Sequence, residues 1–177
     1  MGRMLRLAGS HVILYAATAL VLVVPLSPLA LGLGAVLIWA SVVDVQTFEI
    51  PDMASALVFL FALYDVLFLH SVGFPWWDRL AGAVFWPAIF WGIAAGYKSL
   101  RGAMGLGFGD VKLMVGIGLF CGLSDTTYVV LGASLSAVIL LAISRAISSW
   151  RRTKTPVGIA FGPFLTFAAW CVFLLEI

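Results

Sequence analysis

Long apolar stretches alternate with short polar ones along the whole chain. Most of these stretches approach the roughly 20 residues that a helix needs to cross the hydrocarbon core of a bilayer. The pattern predicts seven transmembrane segments, at residues 11–26, 29–44, 54–71, 80–97, 111–123, 126–148 and 160–176. The predicted fold is therefore all-α, a polytopic membrane helix bundle in a single domain that covers residues 1–177.

Turn-forming residues separate the predicted segments. Pro51 and Asp52 open the third segment, and a glycine-rich stretch over 102–109 precedes the fifth. The apolar run over 111–147 is too long for one segment. We expect it to divide at Gly122-Leu-Ser-Asp125, where small and polar residues interrupt the run.

Composition and charge support this membrane assignment. Hydrophobic residues make up 63% of the chain and charged residues 10%, whereas about a quarter of an ordinary soluble domain is charged. Seven segments with a cytoplasmic N-terminus place nine of the ten Lys and Arg residues on the cytoplasmic side, with Arg79 as the exception. The net charge of +2, without a basic cluster among exposed aromatic residues, gives little support to a nucleic-acid partner. The protein is therefore expected to be surrounded by membrane lipid.

Several polar or aromatic residues have structural interpretations. Asp65 lies within the third segment, where an acid is costly, and we favour a structural role for it. Trp76 and Trp77 are expected in an outer loop as interfacial anchors. Cys121 and Cys171 lie in apolar segments and form no CxxC pair, so neither a zinc site nor a disulfide framework is indicated. No metal or cofactor is expected.

Two carboxylates converge on one membrane face in this topology. Asp44 ends the second segment and Asp110 begins the fifth. In a pocket walled by apolar helices, one ionised carboxylate can take a proton from water while a protonated one polarises a peptide carbonyl. Neither histidine has a plausible serine or cysteine partner, and the HExxH pattern is absent. Each aspartate alone would more often be a helix cap or a solvated charge.

Glycine residues precede the second of these aspartates in the sequence Gly105-Leu-Gly107-Phe-Gly109-Asp110. Glycine leaves space for a substrate backbone to approach a carboxylate closely. On its own, such a sequence is more often a flexible loop before a helix cap.

Three sequence segments taken together resemble the type IV prepilin peptidase family in content, order and membrane placement. They are Asp44-Val-Gln-Thr-Phe-Glu-Ile-Pro-Asp52, Gly107-Phe-Gly-Asp-Val-Lys112 and Phe161-Gly-Pro-Phe-Leu165. The resemblance implies that Asp44 and Asp110 are the catalytic pair of an aspartic endopeptidase in the bacterial inner membrane. It also implies that the substrates are prepilins or pseudopilins, whose short basic leader is removed at the cytoplasmic face after a glycine or another small residue.

Other residues near the two aspartates also have expected roles. Glu49 and Asp52 are expected to recognise the basic leader by charge, although loop acids are more often simply solvated, and Gly107 and Gly109 are expected to border the substrate. Lys112 is expected on another helix face than the second catalytic aspartate. Longer family members carry an N-terminal cytoplasmic domain, often with paired CxxC motifs, that is associated with methylation. This chain is similar to the short, peptidase-only members, such as those serving tight-adherence pili.

Two other classes of function compete with the peptidase. A transporter would use intramembrane carboxylates as a proton or cation relay and would distribute polar groups through the membrane depth. A non-catalytic component of a pilus or secretion assembly would not depend on the carboxylates at all. The GxGD sequence also resembles presenilin-like intramembrane proteases, but the segments around Asp52 and Pro163 fit the prepilin enzymes better. The convergence of two acids at one face favours the peptidase.

Overall fold

Helices account for all the regular structure of the described residues. The computed structural model describes residues 2–22, 27–69, 73, 75–102, 107–151 and 159–176. The helices are α1 Gly2–Leu22, α2 Pro28–Thr47, α3 Asp52–Tyr64, α4 Trp76–Arg101, α5 Phe108–Arg151 and α6 Gly162–Glu176. A π-helical turn over Asp65–Leu69 continues α3. The predicted all-α class is confirmed over these ranges.

Within the described ranges, four helices are long and apolar enough to cross a membrane, judged by length and composition. They are α2, α3 with its π-helical turn, α4 and α5, while Ala8–Leu20 and Gly162–Glu176 form shorter apolar helices. Large apolar side chains such as Leu135, 63% exposed, and Val138, 62% exposed, cover the outside of the bundle. Such a surface suits contact with lipid chains.

The long helix α5 turns back on itself at Gly122, whose backbone angles are non-helical (φ 73°, ψ 179°). A positive φ is readily adopted by glycine because it has no Cβ. Asp110 in the first arm lines one cavity, and Leu140 in the second arm lines another. Phe48, just after the end of α2, lines both cavities. The two arms therefore return to the same end of the bundle, and the turn lies where the sequence predicts a division.

Close packing and a hydrogen bond hold this turn against α4. A Cβ added at Gly82 would lie 2.5 Å from the carbonyl oxygen of Gly118 and 2.6 Å from the carbonyl carbon of Gly122. Glycine at this contact lets the two backbones touch. The N–H of Leu123 donates to Oδ2 of Asp78 at 3.1 Å, so a carboxylate from a different helix satisfies a donor at the start of the second arm.

The mid-span acid Asp65 forms a buried ion pair with Arg79, and this arginine also donates to the carbonyl oxygen of Phe120 at 3.3 Å. The two charged side chains are 0% and 2% exposed. Removing one member of such a pair would leave an uncompensated charge in the interior. The contacts tie the π-helical turn to α4 and to the first arm of α5, in agreement with the structural role expected for Asp65.

Some predicted helix ends are wrong. Hydropathy ends the second segment at Asp44, but α2 continues to Thr47, and the N–H of Phe48 donates to the carbonyl of Asp44 at 2.9 Å. Backbone hydrogen bonding thus carries the helix past its first charged residue. Trp76 and Trp77 are not in a loop; they begin α4, with side chains 68% and 60% exposed. The predicted ends at positions 26 and 71 lie outside the described residues.

A buried core positions the ends of α2 and α5 next to each other. Leu37 of α2, Val58 of α3, Ile117 of α5 and Leu165 of α6 are all almost fully buried. A Cβ added at Gly116 would lie 2.9 Å from Cγ1 of Val58, so the first arm of α5 packs directly on α3. This packing brings the end of α2, with Asp44, and the start of α5, with Asp110, to one cavity.

Candidate active site

A cavity of about 500 Å³ lies where α2 ends and α5 begins. All six residues that the sequence singles out as catalytic or substrate-binding line it: Asp44, Glu49, Asp52, Gly107, Gly109 and Asp110. The rest of the lining is Phe48, Ile50, Phe108, Lys112, Ile159, Ala160 and Phe161. Gly105, part of the predicted glycine-rich approach, lies outside the described residues. The cavity therefore combines carboxylates with mainly apolar walls.

Asp44 projects from the last turn of α2 and is held by α6. Its side chain is 5% exposed, and its Oδ2 accepts a hydrogen bond from the N–H of Gly162 at 2.9 Å. A Cβ at position 162 would lie 2.6 Å from that oxygen and 2.9 Å from Cγ of Asp44. Glycine is therefore needed for the start of α6 to approach the carboxylate this closely.

Asp110 lies in the first turn of α5 and is 6% exposed. Its N–H donates to the carbonyl of Gly107 at 3.2 Å, which shapes the start of the helix. Its Oδ1 is buried and has no hydrogen-bond partner among the described residues. This carboxylate consequently has acceptor capacity that is not used by the surrounding protein.

The two glycines before Asp110 have different surroundings. A Cβ at Gly109 would lie 2.9 Å from Cβ of Ile50, so this glycine is required by the packing of α5 against the connection between α2 and α3. A Cβ at Gly107 would lie 3.3 Å from Oδ2 of Asp110. Internal packing therefore explains the glycine at position 109, a reason that differs from both sequence-based explanations, substrate approach and a flexible loop.

The acids at the cavity mouth differ in their partners. Asp52 is the first residue of α3, and its Oδ1 lies 2.7 Å from Nζ of Lys112. The sequence predicts that this lysine lies on another helix face than Asp110. It nevertheless lines the same cavity, because its long side chain reaches across to α3. Glu49 is exposed, and no basic side chain in the described part of the chain forms a salt bridge with it.

The cavity also contains contacts that sequence reasoning missed. The N–H of Gly162 comes from the first residue of α6, and the apolar walls from Ile159 and Ala160 belong to the connection just before it. The sequence signal for these contacts is Phe161-Gly-Pro, which belongs to one of the three segments that resemble the family and lies at the start of the last predicted segment. The described residues hold no group of three or more His, Cys, Asp or Glu side chains arranged to bind a metal ion.

Comparison with known proteins gives one consistent family. The profile of the type IV leader peptidase family matches residues 31–142, a range that includes both buried aspartates of the cavity. The segment around Phe161 lies beyond this match. No solved structure gives a significant match.

Several curated relatives carry the name prepilin leader peptidase/N-methyltransferase. The protein from Xanthomonas campestris pv. campestris is 31% identical over 144 residues, which is 81% of this chain and 48% of the relative. The one from Escherichia coli K12 is 33% identical over 131 residues, covering 71% and 53%. The chain thus spans about half the length of the relatives it matches. With the family profile matching well over half of the sequence, the chain belongs to the type IV leader peptidase family.

Proposed function

We propose that this protein is a membrane aspartic endopeptidase that removes the basic leader of prepilins or pseudopilins. The observation that carries the proposal is the meeting of Asp44 and Asp110, from helices far apart in sequence, in one cavity where both are nearly buried. The names of the relatives support the substrate class. Glu49, exposed at the cavity mouth, supports recognition of a basic peptide by charge.

The proposed reaction is direct attack of water on the scissile carbonyl. One ionised aspartate accepts a proton from water as the water oxygen bonds to the carbonyl carbon, and the protonated aspartate donates a hydrogen bond to the carbonyl oxygen. Transfer of a proton to the leaving nitrogen then breaks the carbon–nitrogen bond. Neighbouring carboxylates titrate jointly, so the proposal assigns the chemistry to the pair and not a fixed role to each member.

The purified chain, supplied with a prepilin-type substrate in lipid vesicles, is expected to cut once, after a glycine or another small residue. Mass spectrometry of the products gives both the cleavage position and the state of the new N-terminus. We expect no added methyl group, because the chain lacks the paired CxxC motifs of the longer family members. Chelators and serine- or thiol-directed reagents are expected to leave the rate unchanged. Intact substrate after incubation with folded protein would refute the proposal.

We further propose seven membrane crossings, with the N-terminal end of the chain in the bacterial cytoplasm and the cavity at the cytoplasmic face. The two arms of α5 supply two crossings because they return to the same end of the bundle. This arrangement puts nine of the ten basic residues on the cytoplasmic side, as the positive-inside rule requires.

Reporter fusions test this orientation. A cytoplasmic reporter joined after Arg152 is expected to be active, and a periplasmic reporter joined there is expected to be silent. The same pair joined at Gly73, in the connection between α3 and α4, is expected to give the opposite result and serves as the control. Periplasmic activity after Arg152 would contradict the seven-crossing arrangement.

A further inference from the structure

Two serine hydroxyls are buried in the helices that border the cavity of Asp44 and Asp110. Ser41 of α2 is 0% exposed and Ser55 of α3 is 5% exposed, and neither Oγ has a hydrogen-bond partner among the described residues. A buried hydroxyl without a partner costs free energy in the folded state. Packing alone therefore does not account for these two side chains.

Helix spacing puts both hydroxyls one turn deeper in the bundle than acids that line the cavity. Ser41 precedes Asp44 in α2 by one turn, and Ser55 follows Asp52 in α3 by one turn. Residues three apart lie on the same face of a helix, about 4.5 Å apart along its axis. Because α2 ends and α3 begins at the cavity, each serine lies on the inner side of an acid.

The next layer of the bundle is apolar and shows that three helices face one another here. Leu37 of α2, Val58 of α3 and Ile117 of α5 line one small interior space. Each serine lies one turn nearer the cavity than the apolar residue of its own helix, and Asp110 lies two turns nearer than Ile117 on the same side of α5. The two hydroxyls thus face the interior beneath the buried carboxylates.

The carboxylate of Asp110 offers an acceptor that matches these donors. Its Oδ1 is also buried and without a partner among the described residues, so no direct hydrogen bond joins the three oxygen atoms. A water molecule bridges polar atoms up to about 5.5 Å apart, twice the length of an O–H···O hydrogen bond. This span is similar to the one helical turn that separates the hydroxyl layer from the carboxylate layer.

We infer that Ser41 and Ser55 are positioning residues that bind a buried water, which donates a hydrogen bond to Oδ1 of Asp110. The water accepts from one serine hydroxyl and donates its second hydrogen to the other, which gives the three hydrogen bonds typical of buried water. A donor to an ionised carboxylate favours that form over the protonated one. The inference rests on the proposed function, in which one aspartate of the pair is ionised and accepts a proton.

The pH dependence of cleavage reports this hydrogen bond. The other ionisable groups that line the cavity with Asp110 are Asp44 of α2, Glu49 before α3, Asp52 of α3 and Lys112 of α5, whereas the lining just before α6 is apolar. All of them are unchanged when a serine is replaced. Loss of the bound water disfavours the ionised form, so the rising limb of kcat against pH is expected to move upward by about one unit.

Kinetics in lipid vesicles measure the size of the effect. Ser41→Ala and Ser55→Ala are each expected to lower kcat about tenfold, the loss that corresponds to one hydrogen bond to a charged group. Ser41→Thr and Ser55→Thr keep the hydroxyl and are expected to restore most of the rate. Ser136→Ala is the matched control and should cleave normally, because its Oγ donates to the carbonyl of Gly132 in its own helix at 2.6 Å.

Melting measurements separate this role from packing. If the hydroxyls only fill space, each alanine variant loses an unpaired polar group and melts at the same or a higher temperature, with the full rate and an unshifted pH profile. That result would overturn the inference, and so would a lower rate without the pH shift. Absence of cleavage by the unaltered, folded protein would instead overturn the proposed function.

X-ray footprinting of the full chain detects the water without requiring turnover. Hydroxyl radicals form from bound water and oxidise adjacent side chains, and methionine and cysteine are both readily oxidised. Met114, one turn below Asp110 in α5, is 0% exposed, and Cys121, at the apolar interior space, is 3% exposed. We expect oxidation of Met114 but not of Cys121, and loss of the Met114 signal in the double variant Ser41→Ala, Ser55→Ala. Equal protection of the two sulfur atoms in the unaltered protein would overturn the inference.

Discussion

Asp110→Asn is expected to abolish leader cleavage by the full chain, and Asp44→Asn is expected to do the same. A two-carboxylate reaction needs a base that accepts a proton and an acid that donates one, and an amide can do neither. Acid–base catalysis by one group contributes about 100-fold to 10,000-fold, so each variant should lose at least about 100-fold in kcat. Conversion of the precursor on a gel, followed over hours, measures the loss.

Both variants are expected to remain folded. Asparagine has nearly the size of aspartate, and its amide oxygen can still accept the hydrogen bond that the N–H of Gly162 now donates to Asp44. Yield, membrane insertion and thermal melting in detergent should therefore match those of the unaltered protein. Asp125→Asn, just beyond the Gly122 turn and outside the cavity lining, is the matched control and should cleave normally.

The double variant shows whether the two aspartates act together as a catalytic pair or contribute to the rate independently. Groups that act as a unit give losses that do not add, so Asp44→Asn combined with Asp110→Asn should be no slower than either single variant. Near-normal processing by either single variant would end the aspartic-peptidase proposal. A non-catalytic assembly component would also give that result, because its function would not require these carboxylates.

Sequence alone predicts the convergence of the two aspartates for a simple physical reason. Each crossing reverses the direction of the chain, so the number of segments between Asp44 and Asp110 decides whether they reach the same face. The glycine and polar residues at Gly122 are sufficient to divide an apolar run that is too long for one crossing. The number of crossings and the points where the chain turns depend on how deep each residue lies in the membrane, and hydropathy reports this depth directly.

The contacts that complete the candidate site could not be predicted in this way. Hydropathy does not report which helices are neighbours or how each is rotated about its axis, so the approach of Gly162 to Asp44 is not visible in the pattern. The pairing of Lys112 with Asp52 depends on a long side chain that reaches across from one helix to the next. A rule based on helix faces considers only the Cβ direction and misses such a contact.

The same limit applies to the buried pair of Asp65 and Arg79. Sequence identifies the acid as costly within a membrane, but the arginine precedes the predicted fourth segment and is separated from the acid by the predicted outer loop. In the structure the arginine belongs to the first turns of α4, because that helix begins earlier than hydropathy indicates. An error of a few residues in a helix start thus concealed the partner.

Gly162→Ala is expected to lower kcat/KM about 100-fold, the scale of loss when a reacting group is displaced by about 1 Å. The new methyl carbon would lie 2.6 Å from Oδ2 of Asp44, 2.9 Å from its Cγ and 3.1 Å from its Cβ. Because all three distances are too short, rotation of the carboxylate alone does not relieve the contact. The start of α6 or the whole Asp44 side chain must move, and the hydrogen bond from the N–H of Gly162 is weakened.

Stability measurements distinguish this displacement from general damage. Alanine is a better helix former than glycine, which offsets part of the steric cost at the first residue of α6. Gly132→Ala is the matched control, because its added carbon would be 3.7 Å from Cβ of Ala168, an ordinary contact. We expect both variants to melt close to the unaltered protein and only Gly162→Ala to lose activity. Full activity in a folded Gly162→Ala variant would mean that the position of the Asp44 carboxylate does not limit cleavage, which is incompatible with its proposed role in the reaction.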